Sequence, residues 1–118
     1  MKIEDQNPAY QREVKRITKK HKLDDSFLKE LHKAISKKPT QQPDARIVRD
    51  HGSYQIVKRY VINPKKRRSK KSGFRVWYRL AGSEVYLLMI EDASEKGKEL
   101  STERHLKILE ERLRTALL

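Results

Sequence analysis

The chain has no cysteine, so disulfides, thiolate catalysis and cysteine-based zinc sites are excluded. Four glycines, four prolines and one tryptophan leave little turn punctuation and few large anchors. The longest strongly apolar run is "VYLLMI" (Val85–Ile90), far too short to span a bilayer. The opening "MKIEDQNPAY" lacks an apolar core of the secretory kind, so the reading is a soluble cytoplasmic protein with no membrane role. Acidic residues are also short. There are 16, against 29 Lys plus Arg, which gives a net charge of +13 over 118 residues. Such an excess speaks to a polyanionic partner rather than to a fold. The length fits one domain, 1–118, with a small core.

Periodicity assigns the elements. "MKIEDQ" suggests a short first strand. Asn7 and Pro8 form a helix start, since Asn caps free N–H groups and Pro needs none at the first position. Tyr10, Val14, Ile17 and His21 then recur at helical spacing. A second helix runs from Asp24, Asp25 or Ser26 as cap to Pro39, with Phe27, Leu28, Leu31, Ala34 and Ile35 as its stripe. Three strands follow: Tyr54–Ile62, Phe74–Leu80 and Glu84–Ile90, the last two joined by a tight turn at Gly82–Ser83. "STERHLKILEERLRTALL" closes the chain as a helix capped by Ser101, with Leu106, Leu109, Leu113 and Leu117 on one face. The expected fold is α+β: an N-terminal helical hairpin packed on one face of a small antiparallel meander, with a C-terminal helix.

The charge is focused. Lys58, Arg59, Lys65, Lys66, Arg67, Arg68, Lys70, Lys71, Arg75 and Arg79 fall in one hairpin that contains no acidic residue. On Phe74–Leu80, alternation sends Phe74, Val76, Tyr78 and Leu80 one way and Arg75, Trp77 and Arg79 the other. A stripe of arginine, indole and arginine can hold phosphates and stack a base. A solvated lysine loop and a nuclear localisation signal remain alternatives for the loop. The histidines, His21, His32, His51 and His105, are scattered over different elements and read as surface or cap residues, and nothing resembles a metal-ligand set.

The ordered set Gly73-Phe74-Arg75-Val76-Trp77-Tyr78, then Val85–Ile90, then Ser94-Glu95-Lys96 and Leu100-Ser101 resembles toxins of the RelE/ParE superfamily. The resemblance implies a RelE-like fold and, for the RelE-like branch, a ribosome-dependent mRNA endoribonuclease using no cofactor and no metal. It implies an acidic antitoxin as cognate partner. By the same resemblance Arg75 matches the phosphate-clamping arginine, Lys58 a functional lysine, and Lys70 and Lys71 the RNA-gripping loop. Arg59, Lys65, Lys66, Arg67, Arg68, Trp77 and Arg79 complete the expected RNA surface. Tyr78 matches the pattern but alternates onto the core face. Where many relatives carry Tyr and a cation after the apolar strand, this chain has Glu91-Asp92-Ala93. Either carboxylate can act as general base amid cations, or salt-bridge the basic loop as an ordinary strand end. That departure keeps a non-catalytic binding module open, and the same resemblance keeps open a ParE-like inhibitor of gyrase, since a basic surface does not exclude that target.

Overall fold

A computed structural model of the chain describes residues 1–41, 44–65, 73–93, 95 and 102–116. The element order is β1 (Lys2–Glu4), α1 (Pro8–His21), α2 (Asp25–Lys37), β2 (Ala45–Asp50), β3 (Gln55–Val61), β4 (Phe74–Ala81), β5 (Glu84–Asp92) and α3 (Thr102–Ala116). The expected caps form at the first two helices. Asn7 Oδ1 accepts from the Tyr10 N–H, and Asp24 Oδ1 accepts from the Ser26 N–H. Lys22 turns left-handed (φ 53°) and ends α1 with the Leu23 N–H bonded back to the Thr18 carbonyl. Ser101, the expected cap of the last helix, and Leu117 lie outside the described residues.

The sheet order is β1-β5-β4-β3-β2. β2 to β5 form an antiparallel meander, and Gly82 at φ +58° opens the two-residue turn between β4 and β5. Two expectations need correction. The sheet is mixed, because β1 precedes the helices and pairs parallel with Glu84–Tyr86. The helices also cover both faces rather than one. Tyr10 and Ile17 of α1 and Phe27, Leu31 and Ile35 of α2 pack on Phe74, Val76, Tyr78 and Leu80. Leu106, Leu109 and Leu113 of α3 pack on the opposite face, against Ile56, Trp77, Leu88 and Met89. Hydrophobic alternation in β4 gave both faces a side chain to bury, and the single Trp77 on the second face is large enough to need a lid.

β5 is read by an irregularity. Trp77 pairs with Met89, yet Tyr78 pairs with Leu87, so Leu88 is an extra residue in β5. Val85, Leu87 and Ile90 therefore face α1 and α2, while Leu88 and Met89 both face α3. Past Tyr86 the edge of β5 has no strand beside it among the described residues. A side-chain pair takes that place. Arg112 donates to the Leu88 carbonyl at 2.7 Å and to Glu13 through two nitrogens, and Glu13 accepts from the Ile90 N–H at 3.3 Å. This ties α1 on one face to α3 on the other and keeps the edge from templating another strand.

Gly73 ends the basic loop where two strands meet closely. A Cβ there would lie 2.1 Å from the Val61 carbonyl oxygen, which belongs to the backbone and cannot swing away. Gly73→Ala is expected to lower stability by about 1–3 kcal/mol through overpacking. Urea unfolding measures this directly, and an unchanged midpoint would show that the β3–β4 contact is looser than described.

Candidate nucleic-acid interface

The extra residue at Leu88 decides where two adjacent carboxylates go. Glu91 falls on the α3 face, opposite Arg75, and Asp92 falls on the α1 face. Glu91 bridges two cationic or protonatable groups. Its Oε1 accepts from Arg75 Nε at 3.0 Å, and its Oε2 lies 2.8 Å from His105 Nε2. Arg75 is 8% exposed and His105 is 5% exposed. The imidazole of His105 also lies over the Trp77 indole, with ring centres 4.6 Å apart. His105 enters the cluster because it sits in the first turn of α3, one residue before Leu106 and four before Leu109, on the helix's buried stripe.

Register places the neighbours. One cross-strand row on this face holds Tyr60, Arg75 and Glu91, and the next holds Arg46, Lys58, Trp77 and Met89. Lys58 Nζ sits 5.2 Å from the Tyr60 ring centre and 5.4 Å from that of Trp77, at cation–π range. Arg79, one row further, lies over Tyr54. A cleft of about 400 Å³ at the end of β5 is lined by Arg75, Glu91, Asp92, Glu95, Glu13, Arg16 and Ile90. It gives solvent a route to the Arg75–Glu91 pair. A second cavity of about 440 Å³ lies against α1 and α2 and contains none of these groups. Tyr10 lines it, and burial, followed by Asp5 and Glu13, pushes its hydroxyl well above the usual tyrosine range.

Asp92 builds a separate network on the other face. Asn63 Oδ1 accepts from the Lys65 N–H at 3.0 Å, which turns its amide nitrogen toward His21 Nδ1, 3.2 Å away. The imidazole must then accept at Nδ1, and its Nε2–H donates to Asp92 Oδ2 at 2.6 Å. Lys20 Nζ also donates to Asp92, a bond that holds the ammonium pKa above its ordinary value. Two histidines read from sequence as surface or cap residues are thus members of polar networks: His105 is buried, and His21 is half-buried with its side chain 5% exposed.

Other expected site residues fall as follows. Arg59 is buried on the α1–α2 side, where it donates to the Lys38 carbonyl and lies against the Tyr78 hydroxyl, so its expected place on the RNA surface is corrected. Trp77 is 2% exposed beneath His105, which corrects the expectation of an indole open to a base. Lys65 is exposed and donates to the Lys22 carbonyl at 2.6 Å, closing the end of α1. Lys66, Arg67, Arg68, Lys70 and Lys71 lie outside the described residues. Sequence reading missed Arg46, Tyr60 and His105. The signal for His105 was its position on the Leu106–Leu109–Leu113 stripe. Among the described residues no group of His, Asp and Glu is placed to hold a metal ion, and no helix is long and apolar enough to cross a membrane.

Removing Glu91 takes one acceptor from Arg75 and from His105, both of which are largely desolvated. Glu91→Ala is expected to cost about 2–3 kcal/mol, below the full buried-pair range because the Glu91 side chain is 20% exposed. The first turn of α3 should lose hydrogen-exchange protection before the rest of the helix. Unchanged stability and protection would mean that Glu91 does not hold α3 down.

No family model matches this chain, and neither curated proteins nor solved structures yield a match; the chemistry of the site rests on its own geometry.

Proposed function

We propose that the chain is the toxin of a toxin–antitoxin pair, with a RelE-like arrangement, acting in the cytoplasm as a ribosome-dependent mRNA endoribonuclease. The observation that carries this reading is Glu91 bridging Arg75 and His105. Those three side chains supply what cleavage by the RNA's own 2′-hydroxyl requires. The carboxylate takes the hydroxyl proton, the 2′-oxygen bonds to phosphorus, and the bond to the 5′-oxygen breaks. The imidazolium gives its proton to that leaving oxygen, so the products are a 2′,3′-cyclic phosphate and a 5′-hydroxyl. The guanidinium holds the phosphate's equatorial oxygens as charge builds on them. Lys58, one row away, adds positive potential, and the net charge of +13 favours a polyanionic substrate. An active basic surface of this kind calls for an acidic antitoxin to mask it.

A second reading, a non-catalytic module on the same fold, is favoured by one observation: His105 is covered by its own helix and by Trp77. Nothing in the geometry of the site favours gyrase as target.

Expression in a bacterium with mapping of mRNA 5′ ends separates these readings. New ends within codons are expected for the wild type. Arg75→Ala should lose roughly two orders of magnitude in cleavage rate, and Arg75→Lys should recover part of it, because lysine lacks the planar fork. His105→Ala should lose rate with little change in RNA affinity. Folded wild-type protein that binds ribosomes and leaves mRNA intact would establish the non-catalytic module instead.

A further inference from the structure

Arg46 and Lys58 face each other directly across β2 and β3, on the same side of the sheet as Arg75. Like charges opposite one another destabilise a strand pair. Among the described residues neither has a carboxylate partner. Glu91, on the neighbouring cross-strand row, is already committed to Arg75 and His105. Lys58 is held in place by the rings of Tyr60 and Trp77 rather than by an anion. Arg46 is exposed, and β2 is the terminal strand of the sheet. A small recess lined by Arg46, Val48, Lys58, Trp77, His105 and Leu106 lies beside the pair.

We propose that Arg46 and Lys58 form a second anion subsite, which takes the phosphate next to the one held by Arg75, so that the substrate is single-stranded RNA bound across at least two consecutive phosphodiesters. This rests on the ribonuclease reading for the role of Arg75. The Arg46–Lys58 row and the Tyr60–Arg75 row are two residues apart along the strands, about 7 Å. An extended nucleic-acid strand sets its successive phosphates at a similar interval, whereas a compact helical one sets them closer along its axis. Tyr60 lies between the two cationic positions: it shares its row with Arg75 and its ring lies against Lys58. It is half-buried, and an aromatic ring between two cationic positions can stack a base carried between the two phosphates. A base inside a duplex has no free face to offer, which selects a single strand.

The test uses two short RNAs, a dinucleotide with one phosphodiester and a trinucleotide with two, each with 2′-deoxyribose at the cleavable position so that binding is read without cutting. The wild type should prefer the trinucleotide. Arg46→Gln and Lys58→Gln should each shrink that preference about tenfold, the scale of one charge-assisted hydrogen bond. Each should also make the log-affinity against log-salt slope for the trinucleotide shallower by about one. Arg46→Lys should keep most of the preference. A wild type with no preference for the second phosphate, or an Arg46→Gln variant with undiminished preference and slope, would overturn the subsite. Cleavage of ribosome-bound mRNA, read by its 5′ ends, then tests the nuclease separately. Binding through Arg46 and Lys58 without cutting upholds the subsite and removes the nuclease. Cutting at full efficiency by both Gln variants upholds the nuclease and removes the subsite.

Discussion

The candidate site exists because β5 carries one residue too many. Without the bulge at Leu88, strict alternation would send Glu91 to the α1–α2 face and Asp92 to the α3 face. Arg75 would then meet no carboxylate from its strand partner, and the acid on the His21 side would be Glu91 rather than Asp92. The bulge also lets Leu88 and Met89 both point at α3, which supplies the apolar floor on which Leu106, Leu109 and Leu113 dock. One backbone irregularity thus sets the sidedness of two polar networks and strengthens the seat of the helix that brings His105. The Arg112 contact fits the same account, since the carbonyl it caps belongs to Leu88 itself.

Burying Arg75, Glu91 and His105 together is not the cheapest way to hold α3 on the sheet. Desolvating charged groups costs several kcal/mol per ion, and apolar side chains of similar volume do as well or better. The rest of that interface shows the cheaper solution, with Leu109 against Leu88, Met89 and Trp77. A titratable trio that converges on one carboxylate beside an open cleft is what catalytic and ligand sites look like when stability alone does not explain them. The Asp92–His21–Asn63 network invites a plainer explanation. Its members tie the end of α1 to the strand ends that flank the basic loop, every described contact is local to that junction, and Gly73 seals the other side.

How much was legible in the sequence follows from which signals survive ambiguity. Phe74, Val76, Tyr78 and Leu80 alternate with arginines and a tryptophan, so the faces of β4 were readable residue by residue. "VYLLMI" gives no such contrast. Every residue in it is apolar or aromatic, a bulge leaves no trace, and the split of Glu91 from Asp92 was therefore hidden. Trp77 between Arg75 and Arg79 read as a solvent-facing stripe because the flanking charges mark the strand as polar on that side. The stripe is instead roofed: Arg75 bonds Glu91, Arg79 lies over Tyr54, and His105 covers the indole. β2 was nearly invisible, since Ala45–Asp50 follows a proline-containing connection and carries an exposed Ile47 and two exposed arginines. Its place at the sheet edge, and so the meeting of Arg46 with Lys58, comes only from long-range pairing.

The arrangement gives this face of the sheet a direction. Glu91 lies on β5, Arg75 on β4, Lys58 on β3 and Arg46 on β2, so the charge turns from negative to positive across three inter-strand steps of about 4.8 Å each. Arg46, at the β2 edge, is exposed, whereas Arg75 and His105 are buried. A polyanion is drawn first to the exposed arginine at the edge and meets rising order as it moves inward, from Arg46 to a lysine pinned between two rings and then to a buried guanidinium. Long-range attraction acts at the open end, where solvent screening allows only weak binding. Specific contacts act at the covered end, where a low dielectric strengthens each hydrogen bond. On the β5 side each carboxylate that lines the cleft is paired with a cation, Glu13 with Arg112, Glu91 with Arg75, Asp92 with Lys20 and Glu95 with Arg16, so a phosphate arriving there meets charge already neutralised. The sheet thereby favours one direction of entry for a charged strand, and that preference comes from register alone.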